Sequence, residues 1–140
     1  MDEPRYGSEP PEAIPLLQWP GASARVLAGE CEAAVGPFKT VTPVQMVDYS
    51  LAAGASLRHR VPVQLDSALL FCYRGSGSVS GCTVKENSIT LLDATCDARD
   101  IALQADRCAR ARRSCAVQCH ARAAAAPVSS FLRARNCGSR

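Results

Sequence analysis

Two histidines and eight cysteines are the residues of this chain best suited to metal binding or nucleophilic chemistry. His59 lies in the stretch Gly54-Ala55-Ser56-Leu57-Arg58-His59-Arg60-Val61-Pro62. A non-haem iron site needs several His or carboxylate ligands converging on one ion, with a position left open. His59 instead stands alone between two arginines, whose charge opposes a further cation. It reads as a partly exposed strand histidine, not as a ligand. His120 closes the series Cys108, Cys115, Cys119, His120, spaced C-x6-C-x3-C-H. This series lacks the paired C-x2-C knuckles of recurrent zinc sites.

Nucleophilic catalysis finds little more. Cys72 sits in an apolar run, where burial raises a thiol's pKa and hides it, so it reads as a small core residue. Cys31, Cys82 and Cys96 fall at strand ends and turns, with no histidine close in sequence. A Ser-His-Asp arrangement would have to draw on His59 or His120, without a supporting motif. Gly75-Ser76-Gly77-Ser78 has no following helix or lysine and reads as a tight turn rather than a phosphate loop. No catalytic, cofactor-binding or metal-binding residue is assigned from the sequence.

The elements that would position these residues form a body and a tail of different character. The chain has 140 residues, which suits one domain. With 47% hydrophobic and 21% charged residues it does not have the composition of a disordered chain. Asp48, Asp66, Arg74 and Asp93 interrupt every apolar run, so no membrane-spanning helix is expected. Residues 1–106 hold 8 Lys+Arg and all 13 acids, a net of −5, whereas residues 107–140 hold 8 Arg and no acid, a net of +8. Such asymmetry implies different origins or different jobs for the two parts.

Within the body, short β-rich runs alternate with turn signals. Val47, Tyr49 and Leu51 alternate with polar neighbours, and residues 56–61 continue in the same way, as in strands with one buried face. Leu65 to Arg74 is the most apolar run and reads as a fully covered central strand. Runs at 24–30, 78–80, 88–92 and 100–103 complete about seven strands, the signature of a sandwich or small barrel. Residues 1–22, with Pro4, Pro10, Pro11, Pro15 and Pro20, read as an extended linker rather than an element. Its apolar Ile14, Leu16, Leu17 and Trp19 are expected to lie along the chain's own domain.

Taken in order, these segments resemble the C-terminal half of the pirin family. Glu3-Pro4-Arg5-Tyr6 and Ile14-Pro15 resemble the segment joining that family's two halves. Val26-Leu27-Ala28-Gly29-Glu30 resembles its V-I-A/S-G-E strand, and Thr40-Val41-Thr42-Pro43 its T-R-T-P, with Val41 in place of arginine. Asp48-Tyr49-Ser50-Leu51 with Gly54-Ala55, then Val61-Pro62, and then Phe71 to Gly77 follow the family's later motifs in order. The likeness covers residues 3–105. It implies an all-β fold, a single cupin-type jelly roll, with residues 1–22 as a joining segment and 23–105 as the cupin domain. It also implies iron(II) in the family's N-terminal jelly roll, held by three histidines and a glutamate. Met1 falls in the joining segment, so that jelly roll is expected to be absent and this chain to carry no cofactor. Cupin metal sites take an H-x-H pair from the strand after a G-x5 turn, where this chain has only His59.

After Ala105 the family pattern stops, and the fold is expected to lack its last strand, with residues 106–140 disordered or helical. Three readings of this tail compete. One is the zinc knuckle above. Another is a basic helix, with Cys108, Ala111, Cys115 and Cys119 on one stripe, touching nucleic acid non-specifically. The favoured one is a segment not selected for folding, as produced by reading GC-rich sequence in another frame or through an intron. Residues 114–121 offer a poor substitute strand, with Cys115, Val117 and Cys119 on one face.

The resulting expectation is a non-catalytic interaction or regulatory module, or a truncated gene product. Its partners by resemblance are transcription regulators, and no membrane is involved. The alternative is one part of an iron(II)-dependent quercetin 2,3-dioxygenase whose metal-binding half is supplied elsewhere. The acidic start Met1-Asp2-Glu3-Pro4-Arg5 is unlike a signal peptide. An intracellular location, nuclear or cytoplasmic, and reduced thiols are therefore expected.

Overall fold

Strand after strand of this chain buries every second residue, because successive side chains of an extended backbone point to opposite faces. The computed structural model describes residues 7–93, 99–106 and 115–122. In chain order the strands are β1 (Leu16–Trp19), β2 (Ala22–Ala28), β3 (Glu30–Cys31), β4 (Ala34–Val35), β5 (Val44–Leu51) and β6 (Ser56–Arg60). They continue with β7 (Ser67–Arg74), β8 (Ser76–Val79), β9 (Cys82–Lys85), β10 (Ser88–Asp93), β11 (Asp100–Ala105) and β12 (Cys115–Arg122). The fold is all-β.

Two antiparallel sheets make up a jelly-roll sandwich. One has the order β1-β2-β5-β12-β7-β10, the other β6-β11-β8-β9, and β3 pairs with β4 in a small ribbon. The larger sheet turns Val26, Val47, Tyr49, Leu51, Leu70 and Cys72 inward; the smaller adds Val79, Ile101 and Leu103 to the same core. Removing such side chains from water stabilises the fold by about 1.5–3 kcal/mol each. Gly77 marks the closest approach within the smaller sheet. A Cβ there would stand 2.2 Å from the Gln104 carbonyl oxygen, so only glycine lets β8 lie against β11.

Three expectations change on inspection of the strands. The proline-rich start is not featureless: Pro11–Ala13 form a 3-10 turn and β1 pairs with β2, setting Leu17 opposite Ala24 and Trp19 opposite Ala22. Its prolines fall outside β1, so they cost the ladder no donor. Second, β7 is central but covered on one face only. Ala68, Leu70 and Cys72 are buried, whereas Leu69 and Phe71 on the other face are half-buried, flanked by the exposed Leu91 and Ile89 opposite them.

The third change concerns the tail. Residues 115–122 are neither helical nor disordered; they form β12, between β5 and β7. The register sets Cys115 opposite Leu51, Val117 opposite Tyr49 and Cys72, and Cys119 opposite Val47 and Leu70. The slot expected to lack its strand is therefore filled. β5 and β7 each present a row of backbone donors and acceptors, and residues 115–122, free of proline and glycine and with Cys115, Val117 and Cys119 alternating, can pair with both. The helical stripe through Cys115 and Cys119 is thereby excluded. Residues 1–6, 94–98 (with Cys96), 107–114 (with Cys108 and Ala111) and 123–140 lie outside the described residues. Among the described residues, no helix is long and apolar enough to cross a membrane.

Candidate functional site

β5 and β6 carry polar residues at positions that alternation assigns to the core: Gln45 and Tyr49 on β5, His59 on β6. All three are buried, at 3%, 1% and 4% exposure. A buried polar group is costly unless hydrogen-bonded, and these three satisfy one another. Tyr49 Oη lies 2.6 Å from His59 Nδ1, and His59 Nε2 lies 2.9 Å from Gln45 Oε1. Gln45 Nε2 donates to the Glu30 carbonyl at 2.5 Å, and Cys31 Sγ lies 3.8 Å from Tyr49 Oη. The Tyr49 and His59 rings are tilted by 57° with centroids 5.5 Å apart.

The proton positions in this chain follow from the one partner that can only accept. The Glu30 carbonyl has no hydrogen, so the Gln45 nitrogen must face it and Oε1 must face His59. His59 Nε2 then carries the proton, and Nδ1 accepts from the Tyr49 hydroxyl. The single Tyr49 hydrogen being committed, the Cys31 thiol donates to Tyr49 Oη. Burial reinforces this state. It lowers the His59 pKa to about 4 and raises that of the Cys31 thiol, so the imidazole is neutral and the thiol protonated at pH 7.

His59 is thus a buried, doubly bonded histidine, in correction of the partly exposed one expected from sequence. Arg58 and Arg60 do not surround it. They alternate with it along β6 and are exposed, at the rim of the cavity described below. With one nitrogen protonated and the other accepting, the ring has no lone pair left for a metal. Among the described residues no three His, Cys, Asp or Glu side chains gather as a metal-binding group. Gln45 was not singled out from sequence, Tyr49 read only as an inward strand residue, and Cys31 only as a thiol at a strand end. The usable signal was parity: Gln45 shares inward positions with Val47, Tyr49 and Leu51.

The cluster forms the floor of a cavity of about 950 Å3 at one end of the sandwich. Trp19, Phe38, Leu57, Val61, Val63 and Leu65 are among its walls. Arg99 shapes one wall by donating from Nη1 to the carbonyls of Pro62 and Leu65, at 3.1 and 2.8 Å. Gly29, with φ +73, lets the chain turn from β2 into β3 under this cavity; a Cβ there would meet the Val44 carbonyl oxygen at 2.5 Å.

Other candidates fall away from this site. Cys72 is fully buried in β7 and its sulfur lies 3.7 Å from the carbonyls of Arg74 and Gly75. Cys82 is exposed at the start of β9. The Gly75 turn donates its backbone N–H to the Glu86 carboxylate at 2.9 Å, so an internal anion already takes this donor. Cys119 and His120 take successive positions of β12, opposite Leu70 and Leu69.

Replacing Tyr49 by Phe tests the hydrogen-bond assignment. His59 Nδ1 then loses its donor inside the core, at a cost of about 1–3 kcal/mol. Across domains of this general size each kcal/mol lowers Tm by roughly 2–8 °C. Thermal unfolding followed by circular dichroism should show that loss, and an unchanged Tm would contradict the assigned chain.

No family model matches this chain. Pirin-like protein 2 of Arabidopsis thaliana is 30% identical over 77 residues, 55% of this chain and 24% of that protein. The chain thus spans about a quarter of the curated relative it matches. The crystal structure of GK1651 from Geobacillus kaustophilus superposes with a TM-score of 0.73 at 22% identity, covering 90% of this chain and 50% of that one. Quercetin 2,3-dioxygenase from Acinetobacter baumannii gives 0.73 at 18% identity, covering 91% and 42%. At these identities the structures show the jelly-roll fold alone. The chain has that fold, and over 77 residues its sequence is similar to a pirin-like protein.

Proposed function

We propose that this chain is a non-catalytic pirin-like module that acts through protein contacts, and that iron chemistry belongs to the family's other jelly roll. One observation carries this reading. The histidine on the strand where the resemblance places an H-x-H pair has both ring nitrogens engaged inside the protein. A neutral imidazole so bonded offers neither a metal ligand nor a general base. Transcription regulators, in the nucleus, are the partners that the resemblance suggests. Contact between the eight arginines after Asp106 and nucleic acid is the secondary expectation.

Metal analysis of the purified protein, with a quercetin-turnover assay, tests the proposal. The expected result is substoichiometric iron and no turnover, also after incubation with iron(II). One tightly held iron per chain, or quercetin consumption by the isolated chain, would overturn it.

A further inference from the structure

The cavity above the Tyr49–His59–Gln45 cluster sorts its lining by charge. Its charged residues, Glu30, Glu32, Lys39, Arg58 and Arg60, are all exposed. Its buried polar residues, Gln45, Tyr49, His59 and the Cys31 thiol, carry no charge in the hydrogen-bonded state derived above. Between rim and floor the walls include Leu57, Val61 and Leu65. A volume of about 950 Å3 lies within the range of small-molecule sites, roughly 300–1,000 Å3, which are mostly apolar with a few convergent polar groups.

We propose that this cavity binds an uncharged, mainly apolar small molecule that presents one carbonyl acceptor to Gln45. A charged ligand would leave water for a floor without a counterion, which is unfavourable. An apolar ligand gains from the walls. The acceptor follows from the unused hydrogen-bonding capacity of the floor. Both His59 nitrogens are engaged, whereas Gln45 Nε2 has two hydrogens and uses one on Glu30. Gln45 is among the residues that line the cavity. The inference rests on the reading above only in that no metal occupies the floor.

Benzamide and benzoate, matched in ring and size but differing in charge at pH 7, are suitable probes. Trp19 is the single tryptophan of the chain and lines the cavity, so its fluorescence reports occupancy. Benzamide is expected to change this fluorescence saturably, with benzoate at least about tenfold weaker, a difference of ~1.4 kcal/mol. Leu57→Phe, which fills the cavity from β6, should weaken benzamide at least about tenfold. Should that variant fail to fold, Val63→Phe obstructs the mouth from a rim position that is 73% exposed, keeps Trp19 the single tryptophan and makes the same prediction. No saturation with benzamide, equal binding of benzoate, or unchanged affinity in the folded variant would each overturn the site. Iron analysis separates the two proposals: iron-bearing protein contradicts the non-catalytic reading, while iron-free protein indifferent to benzamide contradicts only the ligand site.

Discussion

A chain stopped after Asp106 is expected to lose cooperative unfolding altogether. Such a chain lacks β12, which pairs along Val44–Leu51 on one side and with residues of β7 from Ser67 to Arg74 on the other. Without it the six-stranded sheet divides into β1-β2-β5 and β7-β10, and each part gains an edge of unpaired backbone groups beside a core. Unpaired buried backbone groups cost about 1–3 kcal/mol each. Several of them, along the two edges left open, together match the roughly 5–15 kcal/mol that holds a typical domain together. Gln118→Pro makes the same point in the full-length chain. Gln118 stands opposite Asp48 and Phe71 in mid-strand, where proline removes a donor and does not fit a central ladder. Urea unfolding followed by circular dichroism should show a sigmoidal transition in the wild type and none in either variant. A truncated chain that unfolds with the wild-type midpoint would show that β12 contributes nothing, and the tail would return to its reading as unselected sequence.

The second large effect is acid lability centred on His59. Its pKa is about 4 in the fold because burial disfavours the imidazolium, against 6.5 for an unperturbed histidine. Between these values the unfolded chain takes up a proton that the folded chain refuses. Stability therefore rises with pH across the window, is complete above about 6.5 and is lost as pH falls towards 4. A gap of this size corresponds to about 3 kcal/mol. Among the groups of this hydrogen-bonded chain, the Cys31 thiol is pushed up by burial and the Gln45 amide does not titrate, so neither compensates. Carboxylates elsewhere also titrate near the lower limit, so the diagnostic quantity is a difference. His59→Gln should be less stable than wild type at pH 7 yet lose less between pH 7 and 4, as measured by urea midpoints. Parallel loss in both proteins would remove His59 as the cause.

Much of this architecture is legible residue by residue. The alternation of Val47, Tyr49 and Leu51, the turn at Gly75-Ser76-Gly77 and the apolar run at 68–72 are local signals, because strand periodicity and turn chemistry depend on neighbours in the chain. They suffice for an all-β sandwich, and the order of motifs from Val26 to Gly77 carries the likeness to the pirin family. The candidate site is of another kind. Cys31, Gln45, Tyr49 and His59 span 28 positions, and no short motif contains them. They meet because β5 and β6 belong to different sheets whose inner faces share one core, while β3 runs in beneath.

His59 shows the difference most directly. In sequence its neighbours are two arginines, which argues for a solvated, cation-flanked ring. In the fold the pleat sends Arg58 and Arg60 outward, and the ring's environment is set by Tyr49 and Gln45 from the facing sheet. The tail shows it in reverse. Its composition marks residues 107–140 as foreign to the body, and that contrast of −5 against +8 stands. Composition cannot reveal, however, that β5 and β7 leave a strand-wide gap between them. The alternation of Cys115, Val117 and Cys119 allows a strand there, but only the assembled sheet decides that residues 115–122 fill the gap.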